Sequence, residues 1–189
     1  MNEQQLLYAL QQRQESAFKL LVDRYKDRLY NTILGFIPVE VDAEDVLQDV
    51  FVKVFENIGK FKGESLLGTW MYRIAVTQSL DAIRKKKRKK RDATVVSWFG
   101  IESSVEIISV ESFHPGVLSE NKEQAVELFK AMQQLNDHQR AAFVLQKIEG
   151  LTQQEIAAVL KLSVGAVESL LSRAKENLRK ILSRFYYEK

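Results

Sequence analysis

The sequence predicts an all-α protein in which two small helical domains, a helical bundle and a helix-turn-helix unit, are joined by an irregular linker. Apolar residues recur at intervals of three and four over most of the 189 residues. Proline occurs only at positions 38 and 115. One stretch, residues 92–119, contains six Ser, two Gly and one Pro and has no sustained helical period. We therefore expect a first domain over 1–91, a linker over 92–119 and a second domain over 120–189.

The first domain contains three predicted amphipathic helices. The apolar stripe of the first consists of Phe18, Leu21, Val22, Tyr25 and Leu29. The second alternates steps of three and four without interruption, as an amphipathic helix requires. Its apolar residues are Ala43, Val46, Leu47, Val50, Phe51, Val54, Phe55 and Ile58. Along the third helix, Trp70, Ile74, Thr77 and Asp81 follow one another at helical spacing. The apolar residues Met71, Ala75, Leu80 and Ile83 lie beside them on the same helix.

A run of eight consecutive Lys or Arg residues, 84–91, directly follows the third helix. The whole chain has a net charge of +3, so without this run it would stand at −5. Such a run is typical either of a nucleic-acid contact or of a solvated tail. We favour the nucleic-acid contact because the preceding helix gives the run a fixed position.

The predicted linker over 92–119 is acidic and partly apolar. It contains no basic residue, and its acidic residues are Asp92, Glu102, Glu106 and Glu111. Its large apolar side chains include Trp98, Phe99, Ile107, Ile108 and Phe113. A free spacer would be more polar than this. Two interpretations stay open: the linker lies against a partner surface, or it packs on its own domains.

Four helices are predicted in the second domain. The first contains Ala125, Val126, Leu128, Phe129, Met132 and Leu135. Asp137 is expected to cap the second, whose apolar residues are Ala141, Ala142, Val144, Leu145 and Ile148. The last two helices form the helix-turn-helix unit.

Residues 150–178 have the pattern of a helix, a short turn and a second helix. Thr152 and Glu155 have the spacing of a capping box at the start of the first helix. Residues 161–162 make the turn, and Ser163 caps the second helix. The residues expected to face inward on that helix are Val164, Val167, Leu171, Ala174 and Leu178. Its outward face is small and polar, as a helix that approaches base edges needs.

Composition argues against several classes of protein. The absence of Cys excludes disulfides and thiolate zinc sites, and the two His residues, His114 and His138, lack metal-ligand spacing. No Gly-rich phosphate loop and no nucleophile with its base is present, so we predict neither an enzyme nor a cofactor. No apolar run has the length of a membrane span, and the first residues lack a signal-peptide pattern. We expect a cytoplasmic protein without direct membrane insertion or a small-molecule substrate.

Four blocks of the sequence, taken in order, resemble the extracytoplasmic-function (ECF) sigma factors, a minimal class of bacterial transcription initiation factors. They are DAEDVLQDVF at 42–51, FKGES at 61–65 with TWMYRIA at 69–75, DAIR at 81–84 leading into the basic run, and 135–178, which includes SVGAV at 163–167. The resemblance implies two domains, called sigma two and sigma four. It also implies that they bind core RNA polymerase and read the −10 and −35 promoter elements.

The helix over 42–51 is implied to dock on the clamp helices of the largest polymerase subunit. Its face opposite the apolar stripe is mostly acidic with one apolar residue, which suits a basic and partly apolar partner. By themselves these carboxylates also fit a solvated face, and the order of the four blocks favours docking. The predicted polymerase-binding residues are Glu44, Asp45, Gln48, Asp49 and Val52.

Aromatic and basic residues are interleaved between positions 61 and 85. Bases stack on aromatic rings while Lys and Arg hold phosphates, so this pattern suits single-stranded DNA. The resemblance implies that the loop from Lys60 to Leu67 captures a flipped-out base. Trp70 lies one helical turn before Ile74 and therefore also fits a core position. The predicted −10 DNA-binding residues are Phe61, Lys62, Ser65, Trp70, Tyr72, Arg73, Arg84 and Lys85.

The outward face of the last predicted helix is expected to read duplex DNA. Its basic residues Arg173 and Lys175 are placed for contact with phosphates or bases. Glu168 stands where many members of the family have a basic residue; it can accept from cytosine or face solvent. The predicted −35 DNA-binding residues are Ser163, Gly165, Ala166, Glu168, Ser169, Ser172, Arg173 and Lys175.

The resemblance implies three partners, namely core RNA polymerase, promoter DNA and an anti-sigma factor. The first functional hypothesis is a non-catalytic subunit that directs core polymerase to promoters. The alternative is a free-standing helix-turn-helix transcriptional regulator. That alternative explains residues 135–178 but leaves residues 42–91 without a role.

Overall fold

The computed structural model of the chain describes residues 2–96 and 122–187, and within these residues every regular element is helical. An N-terminal unit contains four α-helices and a C-terminal unit contains four more. The helices of the N-terminal unit are α1 (Glu3–Gln11), α2 (Glu15–Leu34), α3 (Glu40–Asn57) and α4 (Leu67–Val96). Those of the C-terminal unit are α5 (Lys122–Gln133), α6 (Asp137–Lys147), α7 (Gln153–Leu160) and α8 (Val164–Tyr187). The predicted all-α class is confirmed.

The core of the N-terminal unit lies between α2, α3 and α4, which pack on one another. The predicted stripe of α3 supplies much of it, because Ala43, Val46, Val50 and Val54 are all buried. Phe55 is the member of that stripe that departs from the prediction, since it is 44% exposed. The apolar stripe covers a wide arc of the helix, and Phe55 lies at the border between this apolar face and the polar face.

Helix α1 was not among the predicted elements. It begins with a capping box in which the side chains of Asn2 and Gln5 accept hydrogen bonds from each other's backbone N–H groups at 2.8 and 3.0 Å. Its apolar residues Leu6 and Leu10 are fully buried. A carboxylate oxygen of Glu3 accepts a hydrogen bond of 2.7 Å from the N–H of Leu67, at the start of α4. Helix α1 therefore fixes one end of the loop that precedes α4.

Helix α4 is longer than predicted. It runs without interruption through the basic run to Val96, so the first residues assigned to the linker are helical. Lys and Arg are good helix formers, and no Gly or Pro occurs between Gly68 and Gly100 to end the helix. The predictions about the apolar side chains of the linker, from Trp98 to Phe113, fall outside the described residues.

The C-terminal unit is the predicted four-helix unit, with one correction at the start of α6. The helix is capped by Asn136, whose side-chain oxygen accepts a hydrogen bond of 2.9 Å from the N–H of Gln139. The prediction that Asp137 is the cap was therefore wrong by one residue. Both residue types are good N-caps, and the choice depends on backbone angles that the sequence does not show.

The helix-turn-helix geometry is confirmed. Thr152 and Glu155 form a reciprocal capping box at the start of α7. Lys161 ends that helix in the left-handed conformation, with φ 56° and ψ 45°, which reverses the chain. The hydroxyl of Ser163 then accepts a hydrogen bond of 3.2 Å from the N–H of Ala166 and caps α8.

The two units are packed against each other. Helix α4 lies along α7, so the N-terminal bundle is in contact with the helix-turn-helix unit. At the end of α2, the side chain of Gln133 donates a hydrogen bond of 3.0 Å to the carbonyl oxygen of Phe36. This arrangement determines which of the predicted site residues are accessible.

Candidate nucleic-acid and polymerase interfaces

The outer face of α3 presents every residue of the predicted polymerase-binding set. Glu44, Asp45, Gln48 and Asp49 are exposed, and Val52 is 52% exposed beside them. The opposite face is held in the core by Val46 and Val50, so the register of the helix is fixed. The result is a rigid acidic surface with an apolar residue at one end.

This surface continues into residues that the sequence assigned to the core. The ring of Phe55 lies one turn after Val52 and packs on Phe18 with ring centroids 4.8 Å apart. The guanidinium of Arg13 lies 4.8 Å from the centroid of the Phe55 ring. Sequence reasoning missed this extension because helical spacing alone does not separate a core residue from one at the rim of the core.

A cleft of about 530 Å³ lies between the C-terminal end of α3, the 61–66 loop and the first turns of α4. Its volume is within the range of small-ligand pockets, about 300–1,000 Å³. Phe61 and Trp70 form its aromatic wall, with ring centroids 4.9 Å apart. The loop is anchored at Phe61, whose carbonyl oxygen accepts a hydrogen bond of 3.0 Å from the side chain of Gln11.

The cleft is predominantly basic. The predicted residues Lys62, Ser65 and Arg73 line it, and Glu64 is its acidic residue. Lys60, at the start of the predicted base-capturing loop, also lines the cleft. Sequence reasoning missed four other lining residues because they come from α3 and from later turns of α4: Lys53, Asn57, Thr77 and Gln78. Aromatic rings with surrounding cations are the arrangement that a stacked base and its phosphates need.

Tyr72 does not lie in this cleft, contrary to the grouping predicted from the sequence. It is two residues after Trp70, and a step of two places side chains about 200° apart around a helix. Its ring is 4% exposed, and its hydroxyl donates a hydrogen bond of 2.7 Å to the carboxylate of Glu149 in the C-terminal unit. Burial, and then the neighbouring Glu149, raise the pKa of the Tyr72 phenol well above its ordinary value.

Two predicted DNA-binding arginines also contact the C-terminal unit. Arg73 donates hydrogen bonds to the backbone carbonyl oxygens of Ala158 and Val159, at 2.6 and 3.1 Å. Arg84 pairs with Asp137 at 2.9 Å and with Asp81 at 3.4 Å. Lys85 is exposed. In this arrangement Arg73 and Arg84 are already paired with groups of the protein.

The outward face of α8 lies where the sequence predicted it. The exposed members of the predicted −35 set are Ser163, Gly165, Glu168, Ser169, Ser172, Arg173 and Lys175, and Ala166 is half-buried. Val167, Leu171, Ala174 and Leu178 are buried and fix the register of the helix. Val164 is 40% exposed, so the prediction that it faces inward was wrong. It is the first residue of the helix, where less of the unit surrounds it.

The described residues contain no group of three or more His, Cys, Asp or Glu side chains placed to hold a metal ion. Among the helices in these residues, none combines the length and the hydropathy needed to cross a membrane.

Two segments of the chain match known protein families. Residues 21–89 match the family described as Sigma-70 region 2, and residues 125–178 match Sigma-70, region 4. The first segment contains the acidic face and the cleft. The second contains the helix-turn-helix.

The chain is similar to characterised bacterial proteins along nearly its whole length. It is 32% identical to the RNA polymerase sigma-H factor of Pseudomonas aeruginosa over 182 residues, which covers 95% of this chain and 93% of that protein. It is 35% identical to the ECF RNA polymerase sigma factor SigW of Bacillus subtilis over 89% of this chain and 90% of SigW. With the ECF sigma-E factor of Escherichia coli it shares 30% identity over 93% of this chain and 92% of that factor.

Solved structures share the fold. The structure of CnrH in complex with the cytosolic domain of CnrY matches with a TM-score of 0.69 and 25% identity, covering 96% of this chain and 97% of that one. The sigma factor RpoE in complex with the anti-sigma factor NepR from Bartonella quintana matches with a TM-score of 0.66 at 24% identity, covering 88% of this chain and 96% of that one.

Proposed function

This chain belongs to the ECF sigma factors. We propose that three of its exposed surfaces have different roles in transcription initiation: one binds the polymerase and two bind promoter DNA. The chain binds core RNA polymerase and directs promoter-specific initiation. The observation that carries this conclusion is the presence, in one chain, of a Sigma-70 region 2 with an exposed acidic helix face and a Sigma-70 region 4 with an exposed recognition-helix face.

The acidic face of α3 is the docking surface for the clamp helices of the largest polymerase subunit. A basic and partly apolar partner complements carboxylates that flank Gln48 and adjoin Val52. The aromatic pair Phe18 and Phe55 extends this surface. Because α3 is anchored in the core on its other side, docking requires no rearrangement of the helix.

The cleft beside the 61–66 loop is the site for the unpaired −10 strand. A flipped base stacks against the aromatic wall that Phe61 and Trp70 form together, while Lys53, Lys62 and Arg73 take phosphates. The exposed residues of the basic run, which include Lys85, add phosphate contacts that do not depend on sequence. The cleft thus supplies specificity and the run supplies affinity.

Helix α8 reads the duplex −35 element in the major groove. Its small residues Gly165 and Ser169 allow close approach, and Arg173 and Lys175 reach bases or phosphates. The two units therefore recognise different states of DNA, one unpaired and one duplex.

The partners follow from this division. Core polymerase and promoter DNA are the two on which activity depends, and a third is an anti-sigma factor, since RpoE, which has the same fold, was solved with one. We place the protein in the cytoplasm, where the polymerase works, and assign it no catalytic step of its own. A free-standing regulator would leave the α3 face and the cleft without a role.

Reconstitution tests this proposal. The purified chain is added to sigma-free core polymerase with a library of promoter fragments, and the 5′ ends of the RNA products are sequenced. We expect initiation at a subset of fragments that share two upstream elements at fixed spacing. Core polymerase alone is the control. A chain that changes transcription only when the polymerase already holds another sigma factor would instead be a regulator.

A further inference from the structure

A polar contact between the two units surrounds a buried carboxylate. The side chain of Glu149, just after α6, is 4% exposed. Its Oε2 atom accepts the hydrogen bond from Tyr72 and lies 3.4 Å from Nε of Arg28 on α2. The Arg28 guanidinium also lies 5.6 Å from the centroid of the Tyr72 ring. A cation and an aromatic ring of the N-terminal unit thus enclose an acid of the C-terminal unit.

The end of α7 completes this contact. Arg73 binds the carbonyl oxygens of Ala158 and Val159 in the last turn of α7. Carbonyl groups in the last turn of a helix lack intrahelical partners and carry partial negative charge. Every negative group in this contact therefore belongs to the C-terminal unit, and every cation to the N-terminal unit.

Close packing extends the contact at the end of α2. A Cβ atom at Gly35 would lie 2.9 Å from both Cγ atoms of Val144 and 2.9 Å from Cδ1 of Ile148. Real Cβ atoms almost never approach neighbours so closely, so only glycine fits there without a shift. The interface is therefore fitted in shape as well as in charge.

We propose that the C-terminal unit is an intramolecular competitor of single-stranded DNA on the N-terminal unit. Glu149 and the carbonyl end of α7 occupy Arg28 and Arg73 as phosphates would, and they cover the ring of Tyr72. Separation of the units would free Arg28 and Arg73 from these partners and remove the cover from Tyr72, which makes Arg28 a DNA-binding residue that the sequence did not indicate. The inference rests on the proposed function of the cleft and extends the DNA surface beyond it.

The chemistry supports this exchange. A guanidinium forms the same charge-assisted, forked hydrogen bonds with a carboxylate as with a phosphate. An aromatic ring beside it provides a surface on which a base can stack. Only the open form of the chain binds the strand, so the observed affinity is the affinity of the open form multiplied by the fraction of chains that are open. A chain that is closed most of the time therefore binds the strand weakly.

The first test opens the interface with a wedge. Gly35 has αR backbone angles, which any L-residue adopts without strain, and the atoms nearest to its Cβ position belong to Val144 and Ile148, so we expect the side chain of Gly35→Leu to displace these two residues. Binding of a fluorescent 20-nucleotide thymidine strand is measured for the parent and the wedge variant at one ionic strength. We expect the wedge variant to bind more tightly by roughly five- to 150-fold, the usual range for coupled sites.

Arg28→Gln in the wedge background should remove much of that gain. The matched control is Arg24→Gln, which changes an exposed cation one turn away on α2 and should leave the gain intact. Equal binding by the parent and wedge chains, including no detectable binding by either, would overturn the proposal. So would an Arg28→Gln change that has no effect in the wedge background.

The second test locks the interface. The chain has no Cys, so Gly35→Cys with Val144→Cys introduces a single pair of thiols. The 2.9 Å from a Cβ at position 35 to the Cγ positions of residue 144 suits a disulfide. We expect the pair to cross-link on oxidation, which a non-reducing gel and intact mass would show. Failure to cross-link would contradict the closed arrangement.

Initiation by the reconstituted holoenzyme is then compared for the oxidised and reduced pair. The oxidised chain should lose initiation and regain it with reductant, while each single-Cys variant should be insensitive to oxidation. If the reduced chain initiates and the oxidised chain does so equally well, the competition proposal is wrong and the proposed function stands. If neither the single-Cys variants nor the parent initiates, the proposed function itself fails.

Discussion

The guanidinium of Arg140 is buried, and its hydrogen bonds go to the end of a helix. Its nitrogens donate to the backbone carbonyl oxygens of Met132, Gln133 and Leu135 at 2.7 to 3.2 Å. These carbonyls lie at and just beyond the C-terminal end of α5, where the regular helical pattern of donors stops; that of Met132 also accepts a hydrogen bond of 3.1 Å from the N–H of Leu135. Burial removes water from the charged guanidinium and thereby lowers the pKa of Arg140. The hydrogen bonds to the carbonyl oxygens offset this cost of desolvation.

Replacing Arg140 by Met, which is apolar and similarly long, should lower the free energy of unfolding by about 2–4 kcal/mol, because several buried carbonyls lose their donors. Urea unfolding followed by circular dichroism measures this change. Lys147→Met, at an exposed position of the same helix, should stay within about 0.5 kcal/mol of the parent. Equal effects of the two substitutions would contradict the role of Arg140.

Glu155 gives a pH-dependent contribution to stability. Hydrogen bonds from the backbone and hydroxyl of Thr152 lower the pKa of Glu155 below its ordinary 4.5. A lowered pKa means that the ionised form favours the folded state. The stabilisation is therefore present above pH 4.5 and is lost as the pH falls through the lowered value.

Thr152→Ala removes the hydroxyl donor but keeps the backbone N–H, which is the larger cause, so the pKa of Glu155 should rise only part of the way toward its ordinary value, and the lost cap should cost about 1 kcal/mol of stability. Nuclear magnetic resonance titration of the side-chain carboxyl carbons measures the pKa directly. Glu176 is an internal control, because its pKa is lowered by Lys180 in α8 and should not respond to Thr152. An unchanged pKa of Glu155 in the variant would show that the Thr152 hydroxyl does not contribute to it.

At the scale of elements, α3 has two faces with separate roles. Its apolar face fixes the bundle through residues such as Val50, and its acidic face is exposed, where we propose that the polymerase docks. Since Asp45 and Asp49 are exposed, their substitution does not disturb the core. Binding and folding can therefore be tested independently on this helix.

Asp45→Lys with Asp49→Lys should weaken binding to core polymerase by about tenfold or more, because like charges would then meet across the interface. Fluorescence anisotropy of the labelled chain with core polymerase measures the affinity, and circular dichroism should show unchanged helix content. Asp23→Lys with Asp27→Lys is the matched control, with the same charge change and spacing at exposed positions of α2. The docking assignment fails if both pairs bind alike.

Elements with strong periodicity could be predicted from the sequence, whereas those that depend on long-range partners could not. The stripe of α3 and the capping box at Thr152 follow from local spacing, and the structure has both. Helix α1 is only nine residues long, and its position depends on contacts with residues distant in the sequence, such as the hydrogen bond between Glu3 and Leu67. The burial of Tyr72 depends on Glu149, a residue 77 positions away that no local pattern indicates.

At the scale of the whole molecule, charge is segregated. The basic run extends from the N-terminal bundle along α4, while the acidic face of α3 belongs to the same unit. Lys86 pairs with Asp42 at 3.1 Å, which joins the two surfaces. We expect the exposed cations beyond it, at positions 87–89, to contribute affinity for nucleic acid through counterion release.

Changing Lys87, Arg88 and Lys89 together to Gln should weaken binding of holoenzyme to promoter DNA at low salt. If all three side chains contact phosphates, the slope of log affinity against log salt should fall by about 2–3. Binding measured over a series of salt concentrations gives this slope. Changing Lys19, Arg24 and Lys26 on α2 to Gln is the control with the same loss of charge. Equal slopes in both variants would show that the run makes no special contact.

Permanganate footprinting tests the central claim most directly, because permanganate oxidises unpaired thymines. A promoter recovered in the reconstitution is probed with the chain alone, with core polymerase alone and with both together. We expect reactive thymines near the start site only when both are present, and fewer when Trp70→Ala removes part of the aromatic wall of the cleft. A promoter that is transcribed by the reconstituted enzyme with no reactive thymines, or that is opened by core polymerase alone, would contradict the account.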